Sequence, residues 1–144
     1  CLSRGLGDVY KRQGDCWADA EQLQKKCLGI PLEQVPGNCD CRQEVQERIL
    51  LIEGKKILIC HGHTFNVKAG YLNLEYAAEE RKVDAALFGH THRVFYDKHN
   101  RIAYMNPGSI GQPPYGIPPS YGVLQVDGSS NTIATDVIYL EENN

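Results

Sequence analysis

The chain has 144 residues, of which 42% are hydrophobic and 23% are charged, and its formal net charge is −3. This length and composition indicate one globular domain with a hydrophobic core and exclude a disordered chain. The negative charge provides no basic surface for strong nucleic-acid binding or for an anionic membrane. If the substrate carries phosphate, something other than Lys and Arg must supply the positive charge.

The sequence also bears on the compartment of the protein. It contains no apolar run of the roughly 18 residues that a membrane-spanning helix needs, and its start does not resemble a signal peptide. Six cysteines are compatible with a disulfide framework in a small secreted domain, but their spacing is irregular. We therefore expect reduced thiols, a cytoplasmic location and no membrane association.

Apolar strands alternate with polar, glycine-containing loops along most of the chain. Residues 71–82 are predicted to form a helix whose buried face includes Leu72, Leu74, Tyr76 and Ala77, and the proline-rich segment 111–120 is predicted to be a loop. The other predicted elements, in chain order, are a helix at 18–26, a short strand ending at Val35, two strands within 47–60 joined at 53–55, a buried strand at 83–88, strands at 93–96 and 102–105 around a turn at 97–100, and strands at 121–126 and 132–140 around a turn at 127–130.

This order predicts a single α/β domain centred on a sheet, with helices outside and β hairpins late in the chain. Ligands of such folds collect in the loops beyond the carboxyl ends of the strands. Asn38, the pair His61 and His63, and the pair His90 and His92 each follow a predicted strand at that end. We therefore expect three loops to converge on one site.

Four of the five histidines lie in two similar segments, LICHGHTF at 58–65 and LFGHTHRV at 87–94. A single histidine after a strand is ordinarily a satisfied polar residue, but two H-x-H clusters favour metal ligation. Imidazole, amide and carboxylate ligands suit Mn, Fe, Zn, Ni or Co. Two such ions about 3.5 to 4 Å apart would clamp the oxygens of a phosphoryl transfer and activate a water or hydroxide near neutral pH.

Several of these residues have simpler interpretations. Asn38 alone would be a turn residue, and Asp15 could cap the helix that follows it. The segment 105–111 is a plausible β-turn, although Asn106 and Ser109 could contact an anion. His99 is interpreted as solvated surface. Cys39 and Cys41 could instead form a structural zinc site with a histidine.

Five short motifs occur in a fixed order: GD at 14–15, GNCD at 37–40, HGH at 61–63, GHTH at 89–92 and NPGS at 106–109. Together they closely resemble the calcineurin-like metallophosphoesterase superfamily, and within it the small prokaryotic phosphodiesterases that have a G-N-C-D box. The resemblance implies a four-layer α/β/β/α sandwich with a two-metal centre between its sheets. It also implies hydrolysis of a small phosphodiester, with Mn²⁺ as the preferred ion and Ni²⁺, Mg²⁺, Zn²⁺, iron or Co²⁺ as other candidates.

The resemblance further assigns roles to individual residues. Cys39 stands where the wider superfamily has a histidine that donates a proton to the leaving group, and a thiol is a poor match for that role. His63 is expected to orient substrate or to donate the proton instead, and Asp40 to support the site from behind the ligands. The implied metal ligands are Asp15 bridging both ions, Asn38, His61 and His90 on the second ion, and His92 on the first.

The superfamily pattern opens with a strand ending in D-x-H, and the only D-x-H of this sequence, at 97–99, lies in a predicted turn late in the chain, so none precedes the GD motif. Residues 1–13 are basic and poor in apolar residues, so we expect a head that is foreign to the fold, followed by one phosphoesterase domain at 14–144 that lacks its first strand. Asp15 is preferred over Asp8 because it runs into a predicted helix. We expect this chain to bind one divalent ion weakly and to hydrolyse phosphodiesters poorly. The alternative is a non-catalytic metal-binding module of the same fold, and a homo-oligomer is left open.

Overall fold

A computed structural model describes residues 22, 25–26, 28–38 and 45–141. Gln22, Lys25 and Lys26 are helical, in agreement with the helix predicted at 18–26, and Val35 makes a single β bridge where a short strand was predicted. The remaining elements are β1 (Glu47–Ile52), β2 (Lys55–Cys60), a 3₁₀ helix (His63–Phe65), α1 (Leu72–Glu80), β3 (Ala85–Leu87), β4 (Val94–His99), β5 (Ile102–Pro107), β6 (Ser120–Asp127) and β7 (Thr132–Tyr139).

Five strands form a central sheet in the order β1-β2-β3-β5-β4. The three inner strands β2, β3 and β5 run parallel to one another, whereas β1 and β4 are antiparallel to their neighbours. All residues of β3 and β5 are buried, as expected for parallel strands that are covered on both faces. Because β2 and β3 are parallel neighbours, the loops that follow them leave the sheet at the same edge.

Each face of this sheet has its own hydrophobic cluster. On one face, Leu74 and Ala78 of α1 pack with Leu58, Ala86 and Phe88. On the other face, Leu124 of the β6–β7 ladder packs with side chains that alternate with the first set along the strands, Ile57, Ala85, Leu87, Ala103 and Met105. The described residues therefore form an α/β/β arrangement, which corresponds to three layers of the predicted α/β/β/α sandwich.

The buried face of α1 differs from the prediction. Leu74, Ala77 and Ala78 are buried, but Leu72 is 57% exposed and Tyr76 is 62% exposed, so the prediction was wrong for these two side chains. Successive residues of an α-helix are rotated by about 100° about its axis, so residues two apart lie on nearly opposite sides. Leu72 and Leu74 therefore cannot share one face. The sheet selects the i, i+3, i+4 set that contains Leu74.

The turn between β4 and β5 lies later than predicted. The two strands pair as far as His99 opposite Ile102, which leaves Asn100 and Arg101 as the turn. Both have positive φ angles, 49° and 66°, as a type I′ hairpin turn requires. The prediction placed the turn at 97–100 because those residues are polar and no glycine marks the actual position. His99 is exposed, as predicted.

The other late loop and hairpin lie within one residue of their predicted bounds. The loop predicted at 111–120 ends at residue 119, and the turn predicted at 127–130 lies at 128–131. Among the residues that the structure describes, no helix has the length and apolar character that crossing a membrane requires.

Candidate metal centre

The two histidine loops meet at one edge of the central sheet. His61 directly follows β2, and His90 lies in the loop that follows β3. The Gly89 amide donates a hydrogen bond to the His61 carbonyl, with 3.1 Å between nitrogen and oxygen, so the two loops are joined through their main chains. The predicted convergence of these loops at the carboxyl ends of neighbouring strands is confirmed.

Three side-chain donor atoms come together at this edge. His61 Nε2 lies 3.0 Å from Asn38 Oδ1 and 3.0 Å from His90 Nδ1. The rings of His61 and His90 have centroids 4.9 Å apart and are nearly perpendicular. The sequence therefore placed Asn38, His61 and His90 together correctly, although they come from three separate loops.

The geometry of these atoms fits a divalent cation. Metal–nitrogen and metal–oxygen bonds of about 2.0 to 2.2 Å give neighbouring ligand atoms separations close to those seen between Asn38, His61 and His90. Among the described residues, no group of three or more His, Cys, Asp or Glu side chains is arranged to hold a metal ion. The amide oxygen of Asn38 supplies the third donor here, and the predicted site residues Asp15, Cys39 and Asp40 lie outside the described residues.

Backbone geometry in the second histidine loop is unusual. His90 and His92 have φ angles of 68° and 57°, in the left-handed region that L-residues seldom adopt. The Thr91 amide donates to the Gly89 carbonyl at 2.8 Å, which closes a tight turn centred on His90.

His92 is held by a neighbouring loop rather than by the other histidines. Its Nδ1 lies 3.0 Å from the Gln112 carbonyl oxygen, which can only accept, so Nδ1 carries the hydrogen and Nε2 presents its lone pair. Gln112 is itself fixed, because its amide donates to Ser109 Oγ at 2.9 Å. A metal-binding histidine commonly donates the N–H of its other ring nitrogen to a carbonyl of this kind.

The electrostatics of the site favour neutral imidazoles. Burial lowers the pKa of His90 to about 4, and the nearby Lys68 makes the second-largest contribution. His63 and His92 act on His90 in the same direction. Neutral imidazole is the form that binds metal ions, so His90 is ready to bind over the physiological pH range.

His63 borders the cluster without sharing its donor atoms. Its ring centroid is 5.2 Å from that of His61 and 6.1 Å from that of His90. Burial lowers the pKa of His63. Its Nδ1 is buried and makes no hydrogen bond to the described residues. His63 therefore lies at the side of the candidate centre, where a substrate group could contact it.

The NPGS segment behaves differently from the sequence interpretation. Asn106 and Ser109 are buried, and Asn106 Nδ2 donates to the Gly89 carbonyl and to Thr91 Oγ1, each at 2.9 Å. The hypothesis that Asn106 and Ser109 offer an exposed anion contact was wrong, because β5 carries this segment into the core. Asn106 instead donates hydrogen bonds to the second histidine loop, a role that the NPGS motif did not indicate.

Comparisons with known proteins identify the family of this chain. The family model described as the calcineurin-like phosphoesterase superfamily domain matches residues 5–129. The boundary predicted at residue 13 lies within that range and stays a prediction. Probable metallophosphoesterase YsnB of Bacillus subtilis (strain 168) is 36% identical over 104 residues, which are 72% of this chain and 62% of YsnB. Phosphodiesterase YfcE of Escherichia coli (strain K12) is 34% identical over 104 residues, covering 65% of this chain and 52% of YfcE.

Solved structures show the same fold. A predicted phosphoesterase from Streptococcus pneumoniae TIGR4 has a TM-score of 0.67 and 28% identity, covering 74% of this chain and 61% of its own. Vps29 of Entamoeba histolytica in complex with Zn²⁺ has a TM-score of 0.67 at 18% identity, covering 94% of this chain and 96% of its own. The chain spans about half to three-fifths of the curated relatives named above, 62% of YsnB and 52% of YfcE. From the family match, this chain belongs to the calcineurin-like phosphoesterase superfamily.

Proposed function

We propose that this chain is a metal-dependent phosphodiesterase domain in which Asn38, His61 and His90 hold a divalent cation at the edge of the central sheet. The observation that carries the proposal is the convergence of three donor atoms from three loops, with His61 Nε2 at 3.0 Å from both partners. The names of the relatives YsnB and YfcE point to the same class of reaction.

The proposed cofactors are two divalent ions, with Mn²⁺ preferred. The nitrogen and oxygen donors of this site suit Mn²⁺, Ni²⁺, Zn²⁺, iron and Co²⁺, and Mg²⁺ is a further candidate. When bound, such ions supply positive charge to a phosphoryl group and lower the pKa of a water molecule. By resemblance to the superfamily, Asp15 is proposed to bridge both ions and His92 to hold the other ion.

The remaining site residues are proposed to act on the substrate. His63 lies beside the ligand cluster, 5.2 Å from His61 between ring centroids, where it would orient a phosphodiester or donate a proton to the leaving group. Cys39 and Asp40 keep the roles that the resemblance implies. A thiol at Cys39 is a weak proton donor in place of imidazole, so leaving groups that need no protonation are expected to react fastest.

The proposed substrate is a small phosphodiester, and strong nucleic-acid binding is not expected from a chain of net charge −3. No D-x-H precedes the GD motif of this sequence to complete the first ion's ligands. We therefore expect weak binding at that position and slow turnover by this chain. A cytoplasmic location stays a prediction, and a homo-oligomer is left open.

Hydrolysis of an activated aryl phosphodiester tests the proposal. Metal-free protein is loaded with Mn²⁺, and release of the nitrophenolate is followed for the unmodified chain, His90→Ala and the exposed control His99→Ala. We expect slow, Mn²⁺-dependent release that is lost in His90→Ala and retained in His99→Ala. Equal rates in all three proteins would contradict the proposal.

A non-catalytic metal-binding module of the same fold is the second candidate. The Zn²⁺ complex of the Vps29 neighbour supports metal binding by this fold. This candidate predicts that the unmodified chain binds Mn²⁺ through His90 and yet releases no nitrophenolate.

A further inference from the structure

Asn106 is a fully buried side chain at the end of β5, with 0% of its surface exposed. Its Nδ2 donates both of its hydrogens, to the Gly89 carbonyl and to Thr91 Oγ1, each at 2.9 Å. Its Oδ1 accepts from the Gly108 amide at 3.0 Å. Asn106 therefore joins the second histidine loop to the loop that follows β5.

The two contacts of Asn106 with the histidine loop lie on either side of His90. His90 has a φ angle of 68°, and His92, beyond Thr91, has one of 57°. Such conformations persist only where the surrounding structure fixes them. Fixing Gly89 and Thr91 restricts the backbone of His90, which lies between them.

A second tether from the same segment acts on His92. The Gln112 carbonyl accepts from His92 Nδ1 at 3.0 Å, and Ser109 Oγ accepts from the Gln112 amide at 2.9 Å. The Gly108 backbone in this segment is also closely packed, since a Cβ there would lie 2.2 Å from Ser120 Oγ. The segment 106–112 thus forms a rigid support for both histidines.

We propose that Asn106 is a positioning residue of the metal centre, which holds the strained His90 and His92 in their ligand orientation through Gly89 and Thr91; this rests on the proposed function. An asparagine is suited to the position because it offers two donors and one acceptor in one plane. An aspartate of the same shape would offer no hydrogen to the Gly89 carbonyl or to Thr91 Oγ1.

The test compares Asn106→Asp with Asn131→Asp, a control in the exposed β6–β7 turn where φ is also positive, 56°. Zn²⁺ affinity is measured by calorimetry, and the imidazole nitrogens of His90 and His92 are followed by NMR in the metal-free proteins. We expect Asn106→Asp to bind Zn²⁺ about 10- to 100-fold more weakly and to shift the ring signals of both histidines. The control should match the unmodified chain.

A second pair of variants keeps the test decisive if Asn106→Asp does not fold. Thr91→Ser retains the hydroxyl that accepts from Asn106, and Thr91→Val removes it. The inference predicts that the serine variant keeps the affinity and ring signals and that the valine variant loses both. Unchanged ring signals in Asn106→Asp, or in Thr91→Val, would overturn the inference. If the unmodified chain binds no Zn²⁺, the proposed function fails, and the metal-free spectra still decide the role of Asn106.

Discussion

The two histidine loops share one sequence pattern but are built differently. In the first loop the unusual backbone angle falls on Gly62, with φ of 102°, and the loop closes on itself as the Phe65 amide donates to the Gly62 carbonyl at 3.1 Å. In the second loop the positive φ angles fall on His90 and His92 themselves, and the support comes from the segment 106–112.

This difference separates two ways to place a ligand. His61 is fully buried directly after β2, so the sheet fixes it and a glycine absorbs the turn. The second loop has a glycine only before its histidines, and its geometry depends on hydrogen bonds from elsewhere in the chain. An H-x-H motif therefore predicts that rings lie near one another, but not what holds them.

The largest effect is expected from removing a ring that shares the donor cluster. His61→Ala should weaken Mn²⁺ binding more than about 100-fold, beyond the range of residues that act through a ligand. His63→Ala, whose ring lies beside the cluster, should weaken it less than about 10-fold. Calorimetric titration of metal-free protein measures both, and equal losses would show that the two rings have the same role.

The turn of the first loop is tested by Gly62→Ala. A Cβ at Gly62 would lie 2.9 Å from Val67 Cγ2, and φ is 102°, so we expect a loss of about 2 to 3 kcal/mol in the free energy of unfolding. Gly54→Ala is the matched control, since φ is 76° and no atom lies within 4 Å, and it should cost about 1 kcal/mol. Urea unfolding measures both losses, and similar losses for the two variants would contradict a cost from the contact with Val67.

His90 has a positive φ angle and His61 does not, so the difference in stability between a glycine and an alanine variant should have opposite signs at the two positions. His90→Gly should be more stable than His90→Ala by about 1 kcal/mol, because glycine tolerates the positive φ. At His61, whose φ is not positive, the glycine variant should instead be less stable than the alanine variant by about 0.5 to 1 kcal/mol. Unfolding of the four metal-free variants measures this, and the same sign at both sites would contradict the account.

The smallest effect is expected for Asp84, which lies at the ends of β2 and β3 that are far from the histidine loops. Burial would raise the pKa of Asp84, but hydrogen bonds from the Lys56 amide and the Lys55 ammonium lower it below its ordinary value of 3.8. A lowered carboxyl pKa contributes stability above the unfolded-state value, and this is lost as the pH falls through the folded-state value.

Asp84→Asn tests that contribution. Because the Asp84 side chain is 34% exposed, we expect a loss of less than about 1 kcal/mol at pH 7, which disappears below about pH 4. Mn²⁺ affinity should be unchanged, since Asp84 is at the far end of the strands. A stability difference that grows as the pH falls would contradict the assignment.

Sequence reasoning reached the parts of this molecule that short-range patterns determine. The buried runs of β2 and β3 could be recognised from their apolar residues, and parallel neighbours must end at one edge, so the meeting of His61 and His90 was predictable. The buried face of α1 was not predictable. An apolar residue such as Leu72 can lie on either side of a short helix, and only packing against the sheet decides which side is buried.

Other contributors to the site have roles that the sequence does not reveal. Gln112 acts through its main-chain carbonyl, which every residue has. Asn106 acts because β5 brings it beneath Gly89 and Thr91, a contact between segments that only the fold creates. Lys68 influences His90 through space and belongs to no motif.

The central claim is that one divalent ion binds between Asn38, His61 and His90. Anomalous diffraction from crystals of this chain soaked in Mn²⁺ tests it most directly. The account predicts a peak at about 2.0 to 2.2 Å from Asn38 Oδ1, His61 Nε2 and His90 Nδ1, and no peak there in His90→Ala. A Mn²⁺ peak elsewhere in the molecule, with no peak between these three atoms and only hydrogen bonds joining them, would contradict it.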